Sequence, residues 1–354
     1  NDGRPYSFGR PSSGGSKAAY PCKSYGQGRI NPAYFYGVFD PNDMRRDVSI
    51  TMTGSNGKGV EKLIPFVPNS KAEGGGLTLN KWDENRQANP WVAAQRKSGI
   101  NGPYMRMSEV YLGYAEVCAA LGDVVTGKQY LKTVRERSFP QGLANTDAFI
   151  ASFGNDLVRA IIEERGFEYA GEGDRRWTLI RSGYLPEDIK RIKDMTKAMM
   201  DGLATKGYYE FENGNIISAY IWTKLVDAKT IYGHRLTAQC PTDKVNDPVL
   251  YPGWRGQKDN WEEMGLNYGS STPATNLAIK GLFEIVSEEE AASLESQGYT
   301  KVNWGIDLVD NRDEYDKYLF WDYDYVSAPI YLWPFTPNVM AAGGFTNGYG
   351  FKQE

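Results

Sequence analysis

Glu164 and Glu168 lie one helical turn apart, Glu172 stands one turn further on, and Arg165, Arg175, Arg176 and Arg181 crowd the same stretch. Two chemistries are open to such a cluster. Carboxylates flanking a cleft about 5–10 Å apart can act as an acid–base pair. Opposite charges at i,i+3 or i,i+4 can instead lock helices together, with Arg gripping a carboxylate through two parallel hydrogen bonds. Neighbouring guanidinium charge lowers a carboxyl pKa, the wrong direction for a general acid. The cluster therefore reads as a structural network, with Trp177 shielding it.

Other reactive residue types are sparse. There is one histidine, His234, and there are three cysteines, Cys22, Cys118 and Cys240. These are too few for a His/Cys zinc site, and any His-dependent nucleophile triad would rest on His234 alone. Cys118 reads as a small buried hydrophobe, whereas Cys22 and Cys240 could pair in an oxidising compartment. Asp307, Asp310, Asp313 and Asp316 repeat every three residues. A calcium site is conceivable there, but the spacing does not match an EF-hand and favours a solvated acidic face. The GEGDR stretch at 171–175 follows a helix rather than a strand, so it is not a nucleotide loop. Neither a metal nor a cofactor is called for.

The distinctive number is the aromatic fraction, 13%, from 24 Tyr, 14 Phe and 9 Trp. Aromatic rings fill cores, and they also offer flat faces on which sugar C–H groups stack while amide and charged neighbours fix hydroxyls. Trp82, in LNKWDENRQ beside Arg86, has the surroundings of an exposed stacking platform. Trp91, Tyr25, Tyr34 and Tyr36 are further candidates, and Trp254 and Trp261 in YPGWRGQKDNWEE form a second cluster. Each has an alternative as cover for the helical core.

The chain of 354 residues has 40 basic and 44 acidic side chains, a net charge of -4. That balance gives no general attraction to phosphate backbones and argues against nucleic acid. No run approaches the about 20 apolar residues of a membrane-spanning helix. Three segments differ in texture. Residues 1–103 are loop-rich, and the first hundred carry 14 Gly and 8 Pro. Extended pieces are expected at Ala33–Phe39 and Val60–Val67. Residues 104–206 contain only 10 Gly and 2 Pro, and their spacing predicts helices. One runs through MRMSEVYLGYAEVCAALGD with Met105, Val110 or Leu112, Ala115, Cys118 or Ala119, and Leu121 inward. A second starts after Gly122-Asp123, which makes a hairpin of loosely tetratricopeptide pattern with Gly127 where Ala is commoner. A third is expected from Thr146-Asp147 to Gly171, then a short one near 175–181 and a charged one near 187–204. Residues 207–354 read as loop-rich, with helices from Pro273 or Ala274 to about Val286 and, capped by Ser287, after it. The expected fold is mainly α: tetratricopeptide-like helical hairpins with long irregular aromatic-rich segments and a few short strands.

Two stretches are more specific. In 103–123 and its continuation stand Arg106, Glu109, Leu112, Ala115, Glu116, Ala119, Asp123 and Val134-Arg135-x-Arg137. In 160–181 stand Glu164-Arg165, Glu168, Glu172-Gly173, Arg175, Leu179 and Arg181, with Thr178 where Asp is usual. With FDPNDMRRD (39–47) and a C-terminal Asn338 and Asn347-Gly348-Tyr349, these resemble the SusD/RagB family of outer-membrane nutrient-binding lipoproteins. The resemblance marks a scaffold, so Arg106, Glu109, Glu164, Arg165, Glu168, Glu172, Arg175 and Arg181 are assigned to a structural network rather than to a ligand site. It implies capture of an oligosaccharide or peptide at the cell surface, without turnover, and delivery to a SusC/RagA-like TonB-dependent transporter barrel. It also implies lipid anchoring to the outer membrane through a segment not present here, and a chain that is the C-terminal portion of a longer protein lacking its first helical repeats. Two other classes stay open: a glycan-degrading enzyme, and a helical-repeat interaction module without a small ligand.

Overall fold

A computed structural model describes residues 26, 28–55, 61–66, 76–82, 102–227, 275–313, 335–344 and 346. His234, Cys22, Cys240 and Asp316 lie outside them. The first element is a helix, α1 (Pro32–Gly37), where an extended piece was expected. Its cause is local: Asn31 caps it by accepting from the Ala33 N–H, and Pro32 is pre-set for the first turn. After α2 (Arg45–Ser49), β1 (Ile50–Thr51) pairs with β4 (Thr78–Leu79), and β2 (Thr53–Ser55) pairs with β3 (Glu61–Leu63).

The helical middle follows. α3 (Met107–Ala120) and α4 (Val124–Glu136) form an antiparallel hairpin. Its turn uses Gly122 at φ 88, and Asp123 caps α4 through the Thr126 N–H. Gly127 lets the two backbones approach closely, because a Cβ there would lie 3.0 Å from the Ala115 carbonyl oxygen. The long third helix is two helices, α5 (Thr146–Ala151) and α6 (Leu157–Glu168). Gly154 and Asn155 are both left-handed at φ 65 and φ 66, which no helix tolerates, and Asp156 then caps α6. α7 (Asp174–Ser182) and α8 (Leu185–Lys206) complete this region.

Beyond it, β5 (Tyr208–Glu210) pairs with β6 (Ile216–Ser218). β7 (Tyr220–Asp227) is the centre of an antiparallel sheet ordered β8-β7-β9, with β8 (Thr275–Lys280) and β9 (Thr300–Asn303). β8 replaces the helix expected from 273 to 286. Leu277, Ala278 and Ile279 are all buried, and so short an apolar run has the same appearance in a covered strand as in a helix. α9 (Glu288–Ser296) has the expected Ser287 cap, and α10 (Gly305–Asp310) and α11 (Pro337–Gly343) end the described elements. The described residues are thus mainly helical with short strands, and no helix among them is long and apolar enough to cross a membrane.

Among the described residues two large cores hold the fold, beside a smaller cluster of Ile162, Leu179 and Leu185. One joins α3, α4, α5 and α6 through Leu112, Ala115, Leu131, Val134, Ile150 and Ile161. The other joins the first hundred residues to α8 and the sheet through Phe35, Tyr36, Phe39, Met199, Leu203, Phe211, Ile221 and Trp304. Trp304 is fully buried and donates its indole N–H to the Tyr36 hydroxyl at 2.8 Å, bridging 268 positions. α3 uses only one side of itself. Leu112, Ala115 and Cys118 face inward, but Met105, Val110 and Leu121 do not. Met107, Val110, Tyr114, Val117 and Leu121, spaced alternately three and four residues apart, are each at least half exposed and form an uncovered apolar stripe.

Trp304→Phe removes both the hydrogen bond and packed volume from a sealed site. It is expected to lower unfolding free energy by about 2–4 kcal/mol, read from urea denaturation. An unchanged midpoint would mean that this contact does not tie the first segment to the sheet.

Candidate functional site

α6 carries Glu164 and Glu168 on one face, and Glu172 lies in the turn to α7 that Gly171 and Gly173 make at positive φ. Five cations from four other parts of the chain converge on these carboxylates. Arg45 of α2 reaches Glu164 at 2.6 Å and Glu168 at 3.2 Å, while its other edge is held by Asp43 at 2.6 Å. Arg135 of α4 meets the other Glu164 oxygen at 2.9 Å. Arg106, the N-cap residue of α3, binds Glu168 at 2.6 Å and takes both oxygens of Glu172 at 2.8 Å. Arg137 also pairs with Glu168. Lys81, just after β4, donates to Glu172 at 2.5 Å and to the Glu168 carbonyl at 2.7 Å.

Burial alone would raise the Glu168 carboxyl, but the charges of Arg45 and Arg137 and the hydrogen bond from Arg106 overcome it and hold the group down at about 2. Burial pushes the Lys81 ammonium down to about 8, against the opposing pull of Glu172. A carboxyl fixed as an anion so far below neutral pH is no general acid.

The remaining charges form separate clusters. Arg165 pairs with Asp174 at 2.5 Å and with Glu109 at 3.7 Å. Arg175 binds Glu163 at 3.0 Å and Asp188 at 2.8 Å. Arg181 grips Glu116 on α3 through both oxygens. The eight residues assigned to one network therefore divide among four clusters that pin α3, α6, α7 and α8 to one another. Trp177 is 52% exposed and shields none of them, because it lies on the outer side of α7. Arg45, Lys81, Arg135 and Arg137 were not assigned to the network from sequence. Arg45 stands in FDPNDMRRD, and Arg135 and Arg137 in the motif around Val134, so the motifs held the signal. Lys81 had none beyond its place beside Trp82.

Beside the first cluster lies a cleft of about 310 Å³, lined by Arg45, Lys81, Trp82, Arg106, Arg137, Glu168 and Glu172, with Val48, Ser49 and Pro103. Trp82 is only 5% exposed, so it is an edge of this cleft and not a free-standing platform. Tyr36 is fully buried in the core and offers no face to a ligand: its ring stacks with Phe211 and its hydroxyl accepts from Trp304. The Tyr34 hydroxyl donates to the Gly166 carbonyl at 2.9 Å, and burial raises it to about 12. That ring closes the α1–α6 contact and does not reach the cleft. Tyr25, Arg86, Trp91, Trp254 and Trp261 lie outside the described residues.

These features define a protein with a helical scaffold and a ligand-sized, cation-lined cleft, whose carboxylates brace helices. The chain belongs to the SusD family, whose sequence profile matches residues 1–334. A curated relative, SusD-like protein P25 of Formosa agariphila, is 28% identical over 160 residues, 45% of this chain and 26% of that protein. A solved SusD superfamily protein from Bacteroides vulgatus is 18% identical, with a TM-score of 0.28, over 45% of this chain and 33% of its own. The chain spans about a quarter to a third of these relatives.

Glu168→Gln strips the charge that answers Arg45, Arg106 and Arg137, and is expected to cost about 3–5 kcal/mol at pH 7. The native carboxyl is depressed to about 2 from 4.5. Its stabilisation is therefore complete above pH 4.5 and fades as pH falls through 2. The gap between wild type and Glu168→Gln in urea unfolding should narrow over that window; a constant gap contradicts the charge assignment.

Proposed function

We propose that this chain belongs to a cell-surface nutrient-binding protein that captures an oligosaccharide and passes it to a SusC/RagA-like TonB-dependent barrel. A lipid anchor outside these residues would hold it at the extracellular face of the outer membrane. The observation that carries the reading is the family match over residues 1–334. Two features support it physically. The scaffold is rigidly cross-braced around a preformed cleft, as a capture site needs if it is not to lose affinity to ordering. The Glu168 carboxylate is clamped by cations and held too low to donate a proton, which favours binding over hydrolysis. A peptide cargo remains the alternative ligand, as peptides present the same mixture of apolar and polar groups. The uncovered stripe on α3 favours, in addition, a protein contact.

Gentle extraction from the native membrane followed by native mass spectrometry tests the reading. A complex with a large barrel subunit, and oligosaccharide binding by the purified protein without cleavage, are the expected results. A protein that never associates with a barrel and binds no glycan would sink the capture role. Release of shortened sugars would point to an enzyme instead.

A further inference from the structure

The cleft beside α6 is unbalanced in its hydrogen-bonding capacity. All four carboxylate oxygens of Glu168 and Glu172 already accept from a cation. Three donors on its wall are not used up. Lys81 spends two of its three protons, on Glu172 and on the Glu168 carbonyl. Arg137 reaches Glu168 through one terminal nitrogen and is otherwise 54% exposed at the rim. The indole N–H of Trp82, on the cleft wall, makes no hydrogen bond among the described residues. The lining side chains carry four positive charges, on Arg45, Lys81, Arg106 and Arg137, against Glu168 and Glu172; with Asp43, Glu164 and Arg135 behind them, five cations face four carboxylates, and a surplus of one positive charge remains. A neutral sugar brings as many hydroxyl donors as acceptors and would find few free acceptors here. A carboxylate brings acceptors alone, and its geometry suits the guanidinium fork.

We infer that this cleft takes the carboxylate of an acidic sugar unit, a hexuronate, with Arg137, Lys81 and the Trp82 indole N–H as its donors. The inference rests on the glycan-capture reading and narrows it to acidic glycans. The volume of about 310 Å³ lies at the small end of ligand pockets, enough for one ring with the rest of the chain outside. Trp82 fixes the ring's edge, and the anion displaces only water from Arg137, whose own partner Glu168 stays bound.

Calorimetric titration of the whole protein with a galacturonic acid trimer and with the matching neutral galactose trimer tests this. The acidic trimer is expected to bind at least about tenfold more tightly, with affinity falling as salt rises. Arg137→Gln, a change at a half-exposed position, should weaken the acidic trimer about tenfold. Trp82→Phe keeps a smaller aromatic ring, removes the N–H and should weaken the acidic trimer by about fivefold, a single hydrogen bond. Unfolding midpoints of both variants confirm that the fold is intact; if Arg137→Gln unfolds, Arg137→Lys, which keeps charge but loses the fork, replaces it. Equal affinity for the two trimers, or indifference to Arg137→Gln, overturns the acidic-sugar assignment and leaves glycan capture standing. Binding of a Glu-rich peptide with the same dependence on Arg137, and no uronate binding, also overturns it. Failure to bind any glycan, neutral or acidic, overturns both.

Discussion

Glu164 and Glu168 are buried on one face of α6, and without cations they could not remain there as anions. Taking an isolated carboxylate out of water costs several kcal/mol, so every such group obliges the chain to bring a partner to it. The partners come from α2, from the start of α3 and from the end of α4, and Lys81 at the strand exit joins them through the Glu168 carbonyl and Glu172. Each pairing therefore fixes the position of a whole element relative to α6. The apolar cores supply most of the driving force, but they are not directional. The ion pairs add direction, and the wall of the cleft is the solvent-facing side of the same arrangement.

This coupling explains why scaffold motif and cleft are hard to separate. Arg106 and Glu168 brace helices, and they also line the cavity. The carboxylates neutralise most of the positive charge, and what remains is a small surplus at the rim. A site built this way is rigid before a ligand arrives, because its side chains are already held by one another.

The sequence announced the helical middle clearly. Its hairpin followed from helical spacing interrupted by Gly122-Asp123, and α9 from Ser287 ahead of three glutamates. The division of the third helix turned on two left-handed residues, Gly154 and Asn155, inside an otherwise continuous periodicity. β8 was illegible for a different reason: its partner β7 lies about fifty residues upstream, and nothing local distinguishes LAI in a strand from LAI in a helix. Of the site, the acidic half was readable because it is local to one helix. The cationic half was not assembled, since Arg45 and Lys81 meet α6 across separations of 119 and 87 positions. Tyr36 illustrates the limit of reading aromatics by composition. Its neighbours in sequence gave no sign that Trp304 would claim its hydroxyl.

The stripe along α3 bears on how this polypeptide behaves in solution. Met107, Val110, Tyr114, Val117 and Leu121 lie along one line, flanked by the exposed Tyr104, Val124 and Val125. That is a cohesive band on a chain whose net charge of only -4 supplies little mutual repulsion. Its colloidal behaviour is then set by this band more than by folding stability: a well-folded sample can still self-associate, and mild detergent should disperse it where a stabilising mutation would not.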